Sequence, residues 1–127
     1  MNPSTFSKSE RITSRREIDL LFEQGSSFLV YPLRIVFLSI PKAVNSEPVS
    51  VLVSVAKRKF KRAVHRNRIK RLIRETYRLS KHDSLSMNLT DDRLLIAFVY
   101  LSETIMTYQE IDNAMKKALQ RLIEKQA

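Results

Sequence analysis

Cysteine and tryptophan are absent from the 127 residues, and glycine occurs once, at Gly25. Without thiols there is no disulfide framework and no thiolate to act as nucleophile or metal ligand. The two histidines, His65 and His82, lie apart and leave little for a metal site. A single glycine excludes a glycine-rich phosphate loop, and no Ser-His-Asp set is supported. The adjacent acids Asp91 and Asp92 read as the polar entry to a strand rather than as a metal pair. No apolar run approaches the roughly 20 residues of a membrane span. The opening MNPSTFSKSERI lacks the apolar stretch of a secretory signal. These absences set an expectation of a cytoplasmic protein with no membrane partner and no metal-site residues to name; no protein partner is expected to be required. Its length suits one domain, residues 1–127, with an ordered core from about residue 12 to about residue 124.

What is present is positive charge, and it is concentrated. The formal net charge is +10, from 23 Lys and Arg against 13 Asp and Glu. Between Lys57 and Lys81 stand twelve basic residues and one acid, Glu75; the remaining 102 residues hold 11 basic and 12 acidic groups. All of the excess therefore sits in one segment, which points to a polyanionic partner. A face kept basic for solubility alone would do as well with mixed signs and less self-repulsion.

Ser14-Arg15-Arg16-Glu17 has the form of a capping box, and Ile18, Leu21 and Phe22 repeat at helical spacing. A first helix is expected over about 15–24, with Gly25 as a left-handed residue closing it. LRIVFLSI (33–40) and the alternating VSVLVSV (49–55) read as strands expected to pair antiparallel, with a short extended piece near 28–31. The basic segment continues as a helix to about residue 80, and a polar loop fills 82–92. LLIAFVY (94–100) reads as a buried central strand. Thr107-Tyr108-Gln109-Glu110 forms a second capping box, followed by apolar residues at helical period. The fold class is α+β: a small mixed sheet of three to four strands with helices, in the order α-β-β-α-β-α, or with one more early strand.

On a helical wheel at 100° per residue, His65, Ile69, Leu72, Ile73 and Thr76 of the basic segment share one side. Asn67, Lys70, Arg71, Arg74 and Arg78 share another, with Arg68 to one side of them. Each like-charge neighbour at i, i+4 costs a few tenths of a kcal/mol. Each buried Ile or Leu contributes roughly 1.5–3 kcal/mol, so the apolar stripe holds the helix against the repulsion. His65 is expected to pack rather than to act as a general base, and Tyr77 to flank the core. Arginine's planar fork suits phosphate, and seven of the twelve basic residues are Arg. With no short preceding helix and glycine turn there is no helix-turn-helix, so RNA is favoured over a DNA major groove.

RNRIKRLIRE (66–75), preceded by VSVAKRKFKRAV, resembles the signature of the bacterial ribonuclease P protein family, and the resemblance runs over roughly residues 10 to 124. It implies the small protein subunit of a ribonucleoprotein endoribonuclease that removes 5′ leaders from precursor tRNA. The catalytic chemistry then lies in the RNA subunit, with Mg²⁺ bound mainly by that RNA. The resemblance also implies a left-handed β-α-β crossover, against the usual right-handed preference. By position, Arg66, Asn67, Arg68, Lys70, Arg71 and Arg74 match the part facing catalytic RNA. Lys57, Arg58, Lys59, Lys61 and Arg62 match its basic lead-in. For the leader groove the resemblance implies Phe22, Ser54 and a sheet aromatic at Phe37, with Val36 as the alternative register; Ile18 stands where a second aromatic is common. The rival readings are a ribosomal or RNA-chaperone protein, a DNA-binding regulator and a membrane-surface protein.

Overall fold

The computed structural model describes residues 15–41, 49–80 and 92–126. The chain order is α1 (Arg15–Gln24), β1 (Ser26–Val30), β2 (Leu33–Pro41), β3 (Val49–Val55), α2 (Ala63–Ser80), β4 (Asp92–Tyr100) and α3 (Tyr108–Gln126). Ser14 of the first capping box, Asp91, His82 and most of the two long polar connections lie outside the described residues. The second capping box is formed: Glu110 N donates to Thr107 Oγ1 at 3.2 Å, and Thr107 N donates to Glu110 Oε1 at 3.1 Å. Two N-terminal donors of α3 are thereby satisfied reciprocally.

The four strands form one mixed sheet in the order β1-β2-β4-β3. β1 pairs with β2 and β2 with β4, both antiparallel, while β3 runs parallel to β4. The expected β2–β3 hairpin does not exist, because β4 lies between them. The reason is burial. From Leu94 to Phe98 every β4 side chain is buried, whichever face it points to, and such a strand belongs in the interior of a sheet. β3 places valines on one face and Ser50, Leu52 and Ser54 on the other, which suits an edge. The turn between β1 and β2 contains a cis Tyr31–Pro32 bond, and the Pro32 carbonyl accepts from Leu101 N at 2.8 Å.

Most of the core lies on one face. There Leu33, Ile35, the four β3 valines, Leu94, Ile96, Phe98 and Tyr100 meet Ile69, Ile73 and Tyr77 of α2 and Ile111, Met115, Leu119 and Leu122 of α3. Tyr77 packs on Phe98 with ring centroids 5.7 Å apart, and Phe60 on Tyr100 at 6.0 Å. Tyr100 Oη donates to the Thr104 carbonyl at 2.6 Å and accepts from Met106 N at 3.0 Å, fixing the path from β4 into α3. The other face carries a smaller cluster, Leu21, Val36, Leu95 and Ala97, with Ile18, Leu38, Ile40 and Leu52 at its margin.

Gly25 does not adopt the left-handed conformation expected of it; its φ is not positive. It continues the helical ladder instead, with Gly25 N donating to the Leu21 carbonyl at 2.8 Å. A Cβ there would sit 2.3 Å from the Leu21 carbonyl oxygen, 2.9 Å from that of Phe37 and 3.0 Å from Val36 Cγ1. The glycine is needed for close approach, because the end of α1 presses against β2 with no room for a side chain.

Candidate nucleic-acid interface

The apolar stripe of α2 docks as the periodicity requires, with Ile69, Ile73, Thr76 and Tyr77 buried. Thr76 is accommodated because its hydroxyl donates back to the Ile73 carbonyl at 3.0 Å. His65 is the exception to the expected stripe. It is exposed, as are Ala63 and Val64, so the first turn of α2 is not covered by the core. Tyr77 lies deeper than a flank position, at 1% exposure, and cannot offer its ring to a base.

On the opposite side of α2, Asn67, Arg68 and Arg71 are exposed and Lys70 is partly so. Among the described residues, the side chains of Lys57, Arg58, Lys61, Arg62, Arg68, Lys70 and Arg71 form no ion pair or hydrogen bond. Glu75, the one acid of the segment, is taken by Arg78. Among the described residues, the charges of these seven cations are therefore not taken up by an ion pair within the chain. Two of the cations have structural work as well. Arg66 Nη1 donates to the Phe60 and Lys61 carbonyls at 2.7 and 3.0 Å, tying the lead-in back onto the helix. Lys59 Nζ donates to the Leu101 carbonyl at 2.8 Å, fastening the lead-in to the end of β4. Arg74 also interacts within the chain. A cleft of about 560 Å³ lined by Arg58, Lys59 and Glu103 opens where these segments meet.

The second part of the surface is the less covered face of the sheet. Cross-strand pairing sets its rows. One row is Ser27, Val36, Ala97 and Leu52, and the next is Leu29, Arg34, Val99 and Ser54. Leu21 of α1 covers the first. In the second, Leu29 and Arg34 are exposed and Val99 and Ser54 half-buried. At 100° per residue, Phe22 lies on the flank of α1 opposite Glu17, with Leu21 and Ile18 between them. Glu17 is fixed at the far end of this face: Arg93 Nη1 donates to it at 2.5 Å, while Arg93 Nε donates to the buried Ser50 Oγ at 3.0 Å. Phe22, 46% exposed, thus borders the open row.

Of the groove residues drawn from the resemblance, Phe22 and Ser54 face one surface and Phe37 does not. Phe37 pairs with Ile96 on the helix-covered face and packs edge-on against Phe28 at 5.9 Å. A strand alternates its faces, so the β2 residue on the side of Ser54 is Val36, the alternative register, and it lies beneath α1. Ile18 is half-buried against the same small cluster. Three features were not foreseen: the Arg93–Glu17–Ser50 clamp, the backbone contacts of Arg66, and Arg34 on the open row. The clamp joins residues 76 apart in sequence, and no local pattern announces it. Arg34 had a signal, a cation interrupting the apolar alternation of LRIVFLSI.

Among the described residues no three His, Cys, Asp or Glu side chains converge on a point that could hold a metal ion. No described helix is long and apolar enough to cross a membrane. A loop and helix bearing cations with no ion pair among the described residues, beside a half-open sheet, define the class: a basic protein suited to a polyanionic partner such as RNA. Comparison with known proteins makes this specific. Residues 6–123 match the family model described as Ribonuclease P. The ribonuclease P protein component of Porphyromonas gingivalis ATCC 33277 is 45% identical over 128 residues, covering 95% of this chain and 90% of that one. That of Petrotoga mobilis is 32% identical, covering 96% of this chain and 98% of that one. In fold, the chain is similar to the Staphylococcus aureus RNase P protein, with a TM-score of 0.69 at 22% identity over 91% of this chain and 96% of that one. The Thermotoga maritima RNase P protein gives a TM-score of 0.65 at 18% identity, over 91% and 96%. The chain belongs to the ribonuclease P protein family. It is a subunit of a ribonucleoprotein endoribonuclease of tRNA processing, with an RNA subunit as its partner.

Proposed function

We propose that this chain holds the catalytic RNA on the cations of α2 and its lead-in, and holds the single-stranded 5′ leader of precursor tRNA on the open row of the sheet. The RNA-facing set is Lys57, Arg58, Lys59, Lys61, Arg62, Arg66, Asn67, Arg68, Lys70, Arg71 and Arg74. The leader set is Phe22, Ser54 and the Val36 register. The observation that carries this reading is continuity. β3 ends at Val55 opposite Tyr100, one position beyond the Ser54–Val99 row, and the cationic lead-in begins there. One surface therefore runs from the sheet to the basic helix. Mg²⁺, held mainly by the RNA subunit, supplies the activated water and charge neutralisation that phosphodiester cleavage needs. This chain contributes placement and positive charge, which lower the repulsion between two large RNAs. The compartment is the cytoplasm, where precursor tRNA of a bacterial cell is made.

The test is reconstitution of this chain with a candidate catalytic RNA and a precursor tRNA at low Mg²⁺. The expected outcome is cleavage at the mature 5′ end that depends on the protein. Recovery of ribosomal RNA in place of one large non-ribosomal RNA on affinity capture, with no stimulation of cleavage, supports a ribosomal or chaperone protein instead.

A further inference from the structure

We propose that Arg34 is a phosphate contact for the 5′ leader, so that this chain grips its leader through backbone charge more than through the identity of the bases. The inference rests on the reading of the open row as the leader groove and assigns a chemistry within it. Arg34 stands on β2, an interior strand paired on both sides, with Leu29 opposite it on β1 and Val99 on β4. A cation there does not protect a sheet edge from unwanted pairing, the usual role of charge on strands. It is exposed, and among the described residues no carboxylate or other polar group engages its side chain.

The contrast with Arg93 on the same face is informative. Arg93 is only 15% exposed in its side chain and is fully engaged by Glu17 and Ser50. One arginine of this face belongs to the structure; the other is left for a ligand. The surroundings of Arg34 indicate which ligand. Leu29, 55% exposed, and half-buried Val99 flank it with apolar surface about 5 Å away on either side. That is space for the flat face of an unpaired nucleotide beside a fork that fits its phosphate. Stacking capacity on the floor of the groove is small, because Leu29, Val99, Ile18 and Val36 are aliphatic and the exposed rings, Phe22 and Tyr31, stand on α1 and at the β1–β2 turn. With little ring surface available, a leader held here depends more on charge, and charge does not distinguish bases.

The experiment uses the ribonucleoprotein reconstituted with its catalytic RNA. Affinity is measured for precursor tRNA with an A-rich leader, with a U-rich leader, and for mature tRNA, across a series of salt concentrations. Arg34→Gln is expected to lower the preference for precursor over mature tRNA by about fivefold, equally for both leaders. The leader-dependent part of the log–log salt slope should become shallower by about 0.7. Arg34→Lys should restore most of both. An unchanged preference, an equal loss on mature tRNA, or a loss confined to one leader and not rescued by lysine overturns the proposal. Phe22→Ala in the same assay separates the two levels of the argument. If it lowers the preference while Arg34→Gln does not, Arg34 has no part in a groove that still stands. If neither variant moves it, the groove reading itself fails.

Discussion

The two faces of the sheet are built from the same four strands and finished differently. One is closed by two long helices and holds Phe98, Tyr100 and Tyr77 at 0–1% exposure. The other is covered by a helix of ten residues in which only Leu21 is buried, and one row stays open beside it. A helix that short is marginal in isolation, so α1 depends on its docking. Its docking has two anchors, the apolar Leu21 and the Glu17–Arg93–Ser50 clamp. The difference separates stability from binding: the closed face can be packed to the density of a crystal, because no ligand has to enter it. The half-open face exchanges buried area for access and holds its covering helix by a few directed bonds.

If stability resides on the closed face, breaking it there should cost most. Phe98→Ala removes a fully buried ring that packs on Tyr77 and should destabilise the fold by about 3–5 kcal/mol. Urea unfolding should show a lower midpoint, and RNA binding should fall only as far as the folded fraction falls. The next largest effect is expected in binding alone. The combined Arg68→Gln, Lys70→Gln and Arg71→Gln variant removes three cations with no partner among the described residues. Its log–log salt slope for the catalytic RNA should drop by about 0.9 for each duplex phosphate left without a cation, with an unfolding midpoint unchanged or slightly raised as repulsion is relieved. Arg66 is left out of that set because its hydrogen bonds to the Phe60 and Lys61 carbonyls also hold the lead-in. An unchanged slope would remove the ridge from the interface.

The clamp tests the half-open face directly. Glu17→Gln leaves the Arg93 charge partly buried without its counter-ion and should cost roughly 1.5–3 kcal/mol. The loss should be local, because without the clamp α1 keeps only the small contact of Leu21 and half-buried Ile18 with the sheet and the close approach of Gly25 to β2. Amide exchange in α1 should quicken while β4 and α2 keep their protection. Uniform quickening across all elements would mean that the clamp stabilises the whole fold and not the placement of one helix. A double-mutant cycle between Glu17 and Arg93 should return a coupling of about 1–3 kcal/mol.

How far these features could be read in advance follows the same division. The helices, the strand segments and the inward stripe of α2 are properties of local period, and local period is visible in a chain. The pairing of strands is not local. VSVLVSV and LRIVFLSI each look ready to form a hairpin, and only the two-sided burial of LLIAFVY shows that a third strand must separate them. The ridge was legible because charge segregates along one helix. The groove was less so, because its floor depends on a strand register of one residue, which turned Phe37 to the covered face and left Val36 on the other. Gly25 illustrates the limit from another side. Its position after a helix signalled a left-handed cap, whereas its actual role, clearance between α1 and β2, exists only in the folded chain. Arg93 and Glu17 had no mutual signal at all.

The smallest expected effect on stability, and the sharpest comparison, sets Phe22 against Phe98. Both are phenylalanines, and the common expectation for a ring on an amphipathic helix is that it serves the core. Phe98 is fully buried and Phe22 is 46% exposed. Phe22→Ala should therefore cost only about 1 kcal/mol in unfolding, because close to half of its area stays in water. If a leader base stacks on it, the same substitution should weaken leader-bearing precursor by about 1–3 kcal/mol relative to mature tRNA. A ring that contributes more to a ligand than to its own fold is the mark of a surface kept open for that ligand. Equal losses for both RNAs, or an unfolding cost close to that of Phe98→Ala, would place Phe22 in the core and leave the sheet's two faces alike in purpose.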